Sequence, residues 1–82
     1  MDEEAIRQKA RERIQSGRLP RTESIRAWAG PGIGQPCVVC DEPITDRETE
    51  FELQFQEGRT GLQGYRFHRF CQAAWEMERH RT

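Results

Sequence analysis

Residues 35–44 read QPCVVCDEPI, and residues 67–71 read FHRFC. The first stretch places Cys37 and Cys40 two residues apart, and the second repeats that interval with His68 and Cys71. Together they form the pattern C-x2-C-x27-H-x2-C, which uses every cysteine in the chain. Three thiolates and one imidazole are a standard tetrahedral donor set for a structural zinc ion. A C-x2-C turn bends the backbone so that both sulfurs face one ion, with amides left nearby to bond them. His68 and Cys71 bracket the first turn of an expected helix, whose positive end favours thiolate. The expected metal ligands are therefore Cys37, Cys40, His68 and Cys71, with one structural Zn2+ as cofactor. His80, nine residues beyond Cys71, is the rival for the fourth position.

Other chemistries use fewer of these residues. A single cysteine is commonly just a small buried hydrophobe, but here all three fall into paired intervals. A redox dithiol of the thioredoxin kind wants a surrounding βαβ pattern, whereas Cys37 follows a Gly/Pro stretch. A nucleophilic cysteine paired with His68 is a further reading. Asp41, Glu42, Asp46 and Glu48 beside the knuckle could act as bases in a hydrolase. Four protein ligands leave no open position for water, however, and charge runs of this type are usually solvated. No enzymatic activity is expected.

Composition agrees with a stapled domain. Leu, Ile, Val and Phe number 14 among 82 residues, a low supply of core side chains. Small cores rarely give more than ~3–5 kcal/mol without disulfides or a metal. No apolar run approaches a membrane span, and the N-terminus MDEEAIRQKA has no apolar signal core. A cytoplasmic location and no membrane partner are the expectations. In a reducing compartment, thiols serve more often as metal ligands than as structural disulfides.

Working outward from the cysteines, EFELQFQE (50–57) alternates Phe51, Leu53 and Phe55 with polar residues, which predicts a half-buried strand. GRTGLQG (58–64) predicts a turn region, and YRFH (65–68) a second strand completing a hairpin. In RFCQAAWEMERHR, the spacing of Phe70, Ala73, Ala74 and Met77 predicts the core face of a closing helix. The expected core comprises Phe51, Leu53, Phe55, Tyr65, Phe67, Phe70, Ala74 and Met77. On the N-terminal side, EEAIRQKARERIQS (3–16) predicts a helix with a thin stripe of Ala5, Ile6, Ala10 and Ile14. TESIRAWA (22–29) predicts a second, short helix anchored by Ile25 and Trp28. GPGIGQP (30–36) predicts a hinge loop; it lacks the strand, helix and Lys-Ser/Thr pair of a phosphate loop. The expected organisation is thus an N-terminal helical segment (1–29), a Gly/Pro loop (30–36) and a zinc-binding unit (37–80). The fold class is α+β.

With these residues in place, the segment 37–71 resembles a treble-clef zinc finger: a knuckle, a hairpin, then a ligand pair opening a helix. Half a LIM domain has the same ligand order, and CVVCDEPI is similar to the first knuckle of the DksA/TraR-type fingers. The whole layout also resembles that of a small family of bacterial proteins. The 27-residue gap is longer than in those fingers, His68 stands where the DksA/TraR type has cysteine, and no long coiled coil precedes the knuckle. The resemblance implies the fold and the four ligands, and does not extend to RNA-polymerase binding.

The net charge of -1 hides segregation. Residues 1–4 carry -3, residues 5–26 +5, residues 37–57 -6 and residues 58–82 +3. The simplest consequence is mutual neutralisation within the fold or between copies. A protein-interaction or regulatory module is the leading functional reading, with another protein as partner. The alternative is a nucleic-acid-binding finger using Arg7, Lys9, Arg11, Arg13, Arg18, Arg21 and Arg26, with Arg66 and Arg69 near the finger. Against it stands the -6 segment, because a basic domain is the usual footprint.

Overall fold

The computed structural model describes residues 2–81. Two helices and a three-stranded antiparallel sheet make a small α+β domain: α1 (Glu3–Gln15), β1 (Arg26–Pro31), β2 (Thr49–Glu57), β3 (Gly61–His68) and α2 (Arg69–Arg79). The strand order is β1-β2-β3, so the central strand is the one with the clearest alternation.

α1 begins where the sequence places acid. The Ala5 amide donates to the Asp2 carboxylate at 2.8 Å, capping one of the helix's unpaired N–H groups. Glu3 and Glu4 in the first turn and Arg13 in the last suit the helix dipole. The thin stripe docks rather than frays: Ala10 and Ile14 are buried against the rest of the domain.

Residues 22–29 do not form the expected short helix. Arg26–Pro31 is instead a strand, pairing from Arg26↔Gln54 to Pro31↔Thr49. An isolated eight-residue helix is marginal in water, whereas β2 offers an edge of backbone groups that must find partners. The boundary expected at residue 30 therefore falls inside β1. Ile25 and Trp28, expected as anchors, are about half exposed on this edge.

The second half of the Gly/Pro stretch wraps tightly. Gly32 donates its amide to Glu48, and Gly34 to Ile44. A side chain at Gly32 would collide with the carbonyl oxygens of Ile44 and Thr45, so only glycine fits this crossing. The hairpin β2–β3 is longer than expected: β3 starts at Gly61, inside the predicted turn region, and the turn proper uses Gly58 at φ +67°.

The core lies between the sheet and the two helices. Leu53, Phe55, Phe67 and Ala74 are buried as expected, while Phe51 and Tyr65 are partly covered. Phe70 and Met77 are not in the core. The inward face of α2 is Cys71, Ala74, Trp75 and Glu78, the same spacing moved by one residue, about 100° around the helix. Trp75 is the centre of the packing: its ring lies 5.4 Å from that of Phe55 and 5.8 Å from that of Phe67, and its Nε1 donates to the Pro20 carbonyl at 2.9 Å. Leu19, Val39 and Ile44 complete the core from loops.

Candidate metal centre

The knuckle is built by two crossing backbone bonds. Cys37 donates its amide to Glu42 at 2.9 Å, and Asp41 donates to the Cys37 carbonyl at 2.9 Å. Asp41 takes the left-handed conformation, φ 66°, that such a tight reversal requires. A further bond, from the Val38 amide to the Arg66 carbonyl at 2.9 Å, fastens the knuckle to the free edge of β3.

β3 then runs directly into α2, and His68 is the N-cap residue at that junction. Its extended backbone directs the ring toward the knuckle, while Cys71 approaches from the first turn of the helix. The outcome is one cluster. The donor atoms of Cys37, Cys40, His68 and Cys71 all lie within 4.8 Å of one another and could hold a metal ion. Cys37 and Cys71 are buried, and Cys40 and His68 are partly covered. His80 is elsewhere, bonded to Glu76 near the end of α2.

Hydrogen bonding around the cluster orients the donors. His68 Nδ1 lies 3.3 Å from Cys40 Sγ and 4.0 Å from Cys71 Sγ. The other ring nitrogen, Nε2, lies 3.2 Å from the Pro43 carbonyl oxygen. A carbonyl can only accept, so Nε2 carries the hydrogen, and in the neutral ring Nδ1 then turns its lone pair to the thiols. Cys37 Sγ accepts from the amides of Val39 at 3.4 Å and His68 at 3.5 Å, bonds that favour the thiolate.

The three thiols compete for protons. A hydrogen bond from Cys71 draws the Cys37 pKa down, and amide bonds add to it against the opposing effect of burial. The same bond, with burial and the adjacent sulfurs, pushes Cys71 up. Burial also raises Cys40. Three sulfurs this close cannot all ionise unless a cation sits among them, which is the electrostatic condition of a metal site.

Five of the nine basic residues considered for nucleic acid pair with acidic side chains, and Arg13, Arg18 and Arg66 lie beside the knuckle. Arg7 and Arg11 both bond Glu78, at 2.9 and 3.0 Å. Arg13 and Arg18 approach Asp41, at 2.8 and 3.7 Å. Arg66 bonds Glu50 at 2.7 Å and lies 3.5 Å from Glu52. Arg21 donates to the Arg81 carbonyl at 3.1 Å. Lys9, Arg26 and Arg69 make no ion pair among the described residues. Much of the charge segregation is thus spent inside the fold, as the basic N-terminal segment against Asp41 of the knuckle and Glu78 of α2. Glu78, whose side chain is fully buried, was not singled out from sequence; its only sign is an acid four residues after Ala74 on a face otherwise apolar.

Among the described residues, no helix is long and apolar enough to cross a membrane. Compared with protein-family models, with curated proteins and with solved structures, the chain shows no significant match.

Proposed function

We propose that this chain is a treble-clef-like domain assembled around one structural zinc ion, and that it serves as a protein-interaction or regulatory module in the cytoplasm rather than as an enzyme. The observation that supports this is the convergence of three sulfurs and His68 Nδ1, with the opposite ring nitrogen already committed to Pro43. A tetrahedral zinc site has Zn–S near 2.3 Å and Zn–N near 2.0 Å, so its donors stand about 3.5–3.8 Å apart. The separations of 3.3 and 4.0 Å around His68 bracket that spacing. Soft thiolates with one imidazole select zinc over hard cations such as magnesium or calcium.

Four protein donors close the coordination sphere, which suits a structural role. The ion would tie the knuckle, the end of β3 and the start of α2 together at one point. With so few large apolar residues, that tie would supply much of the stability of the domain. A domain of this kind acts through its surface, which favours the interaction reading.

Two measurements on the purified full chain test the proposal together. Metal analysis should find one zinc per chain, and X-ray absorption should find three sulfurs and one nitrogen with no water. Substoichiometric zinc after reconstitution, or an exchangeable water on the metal, would contradict the closed structural site.

A further inference from the structure

The end of α2, the helix α1 and the loop after it bring four guanidiniums to one carboxylate. The Glu78 side chain is fully buried, and Arg7, Arg11 and Arg81 approach it at 2.9, 3.0 and 3.7 Å. Each of the three does so through Nε, which leaves its two Nη nitrogens with no hydrogen-bond acceptor among the described residues. Arg21 lines a recess of about 190 Å3 whose other walls are Arg11, Ile14, Gln15, Glu78 and Arg81. Among the described residues, no other carboxylate stands within ion-pair distance of any of these four arginines.

We propose that this recess is an anion site that takes a phosphate monoester or free phosphate, the shared chemistry being a tetrahedral dianion. The site goes beyond the metal reading and does not depend on it. None of its lining residues is a candidate metal ligand, and Glu78 lies seven residues past Cys71, about 10 Å along α2. A guanidinium presents its donors as a planar fork that matches phosphate oxygens. With the Nε edge committed to Glu78, the Nη nitrogens of Arg11 and Arg81 are the part of that fork still open.

Charge and size choose the ligand. Arg7, Arg11, Arg21 and Arg81 against Glu78 alone leave a positive excess at this end of the domain. A phosphate monoester carries about -1.5 to -2 at neutral pH, whereas each phosphodiester of a nucleic acid carries a single charge. The recess is smaller than the roughly 300–1,000 Å3 that encloses a whole organic ligand. It accommodates one anionic group, free or presented by a larger molecule.

The walls are held by the fold itself. Trp75 Nε1 donates to the Pro20 carbonyl at 2.9 Å, Arg79 Nη1 to the Arg21 carbonyl at 3.3 Å, and Arg21 Nη1 to the Arg81 carbonyl at 3.1 Å. The Arg81 amide donates in turn to the Glu78 carbonyl at 3.1 Å. These bonds fasten the loop to the helix end, and Glu78 holds the like-charged arginines together. An anion entering the recess therefore has little side-chain ordering left to offset.

NMR titration of the zinc-loaded full chain with sodium phosphate tests this, with sodium chloride at matched ionic strength as the reference. Phosphate should give saturable shifts at Ile14, Gln15, Arg21 and Arg81 with a Kd of about 1 mM, and chloride should not. Capped phosphoserine should shift the same resonances; tighter binding than inorganic phosphate assigns the site to a phosphorylated side chain, and the reverse order to free phosphate. Arg21→Gln and Arg81→Gln should each weaken phosphate about tenfold, as loss of a charge-assisted bond does, with the rest of the amide spectrum unchanged. Arg59→Gln, in the β2–β3 turn, removes the same charge and should bind as wild type does. Absence of saturable shifts, shifts reproduced by chloride, or wild-type affinity in both Arg21→Gln and Arg81→Gln would each overturn the proposal. So would binding of a single-stranded oligonucleotide by a chain that does not bind phosphate. Zinc content measured in the same samples reports separately on the metal site, so the two readings fail independently.

Discussion

Arg13 joins the N-terminal helix to the cysteine knuckle. Its Nη2 donates to Asp41 Oδ2 at 2.8 Å while its Nε donates to the Val38 carbonyl at 3.2 Å. The same Asp41 takes the left-handed turn that closes the knuckle. One guanidinium therefore spans a side chain and a backbone oxygen of the segment that presents Cys37 and Cys40. Arg13→Ala should destabilise the domain by about 1 kcal/mol, because Asp41 is largely exposed and regains water. Zinc stoichiometry should stay at one, since Arg13 touches no donor atom. A chemical-denaturation series with metal analysis checks both outcomes.

Glu78 gives a pH signature. Burial pushes its carboxyl up, but the bonds from Arg11 and Arg7 outweigh this and hold its pKa below the ordinary 4.5. A carboxylate with a depressed folded pKa stabilises the fold above its unfolded value and loses that contribution as pH falls through the folded one. Stability should therefore drop below about pH 4.5 partly through Glu78. Acid would also protonate the candidate ligands Cys37, Cys40, His68 and Cys71, so the comparison must be with Glu78→Gln. That variant should be less stable than wild type at neutral pH by about 2 kcal/mol, and the difference should shrink as pH is lowered below 4.5. A difference that stays constant with pH would contradict the role given to Glu78.

The two tryptophans should report separately. Trp75 is buried among Phe55, Phe67 and the Pro20 carbonyl, and Trp28 is half exposed on the β1 edge. Trp28→Phe should leave a single blue-shifted emission and near-native stability. Trp75→Phe should leave red-shifted emission and cost about 1–2 kcal/mol, through the lost Nε1–H bond and the smaller ring. Fluorescence during thermal unfolding measures both.

Gly32 crosses the Ile44–Thr45 backbone at a distance that excludes any Cβ. Gly32→Ala should cost about 1–3 kcal/mol, as overpacking in a tight site does. Gly30→Ala, where the added carbon meets nothing within 4 Å, is the control and should be much milder. Equal midpoints for the two variants would show that the crossing is not tight.

The donor quartet was legible because ligand spacing is a local property: two short intervals, each closed by a turn or a helix start. The hairpin was legible from alternation in 50–57. β1 was not, because Ile25 and Trp28 stand three apart, a helical interval, and only pairing with β2 makes a strand of Arg26–Pro31. The closing helix offered two equally spaced apolar stripes, Phe70–Met77 and Cys71–Glu78, and sequence alone favoured the one with more apolar side chains. Tertiary demands chose the other. Cys71 faces the knuckle, Trp75 fills the space under the sheet, and Glu78 meets Arg7 and Arg11. A buried acid looks like a surface residue until the arginines from the far end of the chain are placed around it.

The central claim is that a metal tie makes this fold possible. Zinc binding in finger peptides is worth ~10–16 kcal/mol, far more than a core this size supplies. The most direct check is the amide NMR spectrum of the zinc-loaded full chain before and after a strong chelator. Removal of the ion should collapse the dispersed resonances of residues 37–80 and return them on zinc addition. A chelated, metal-free protein with an unchanged spectrum would contradict the account.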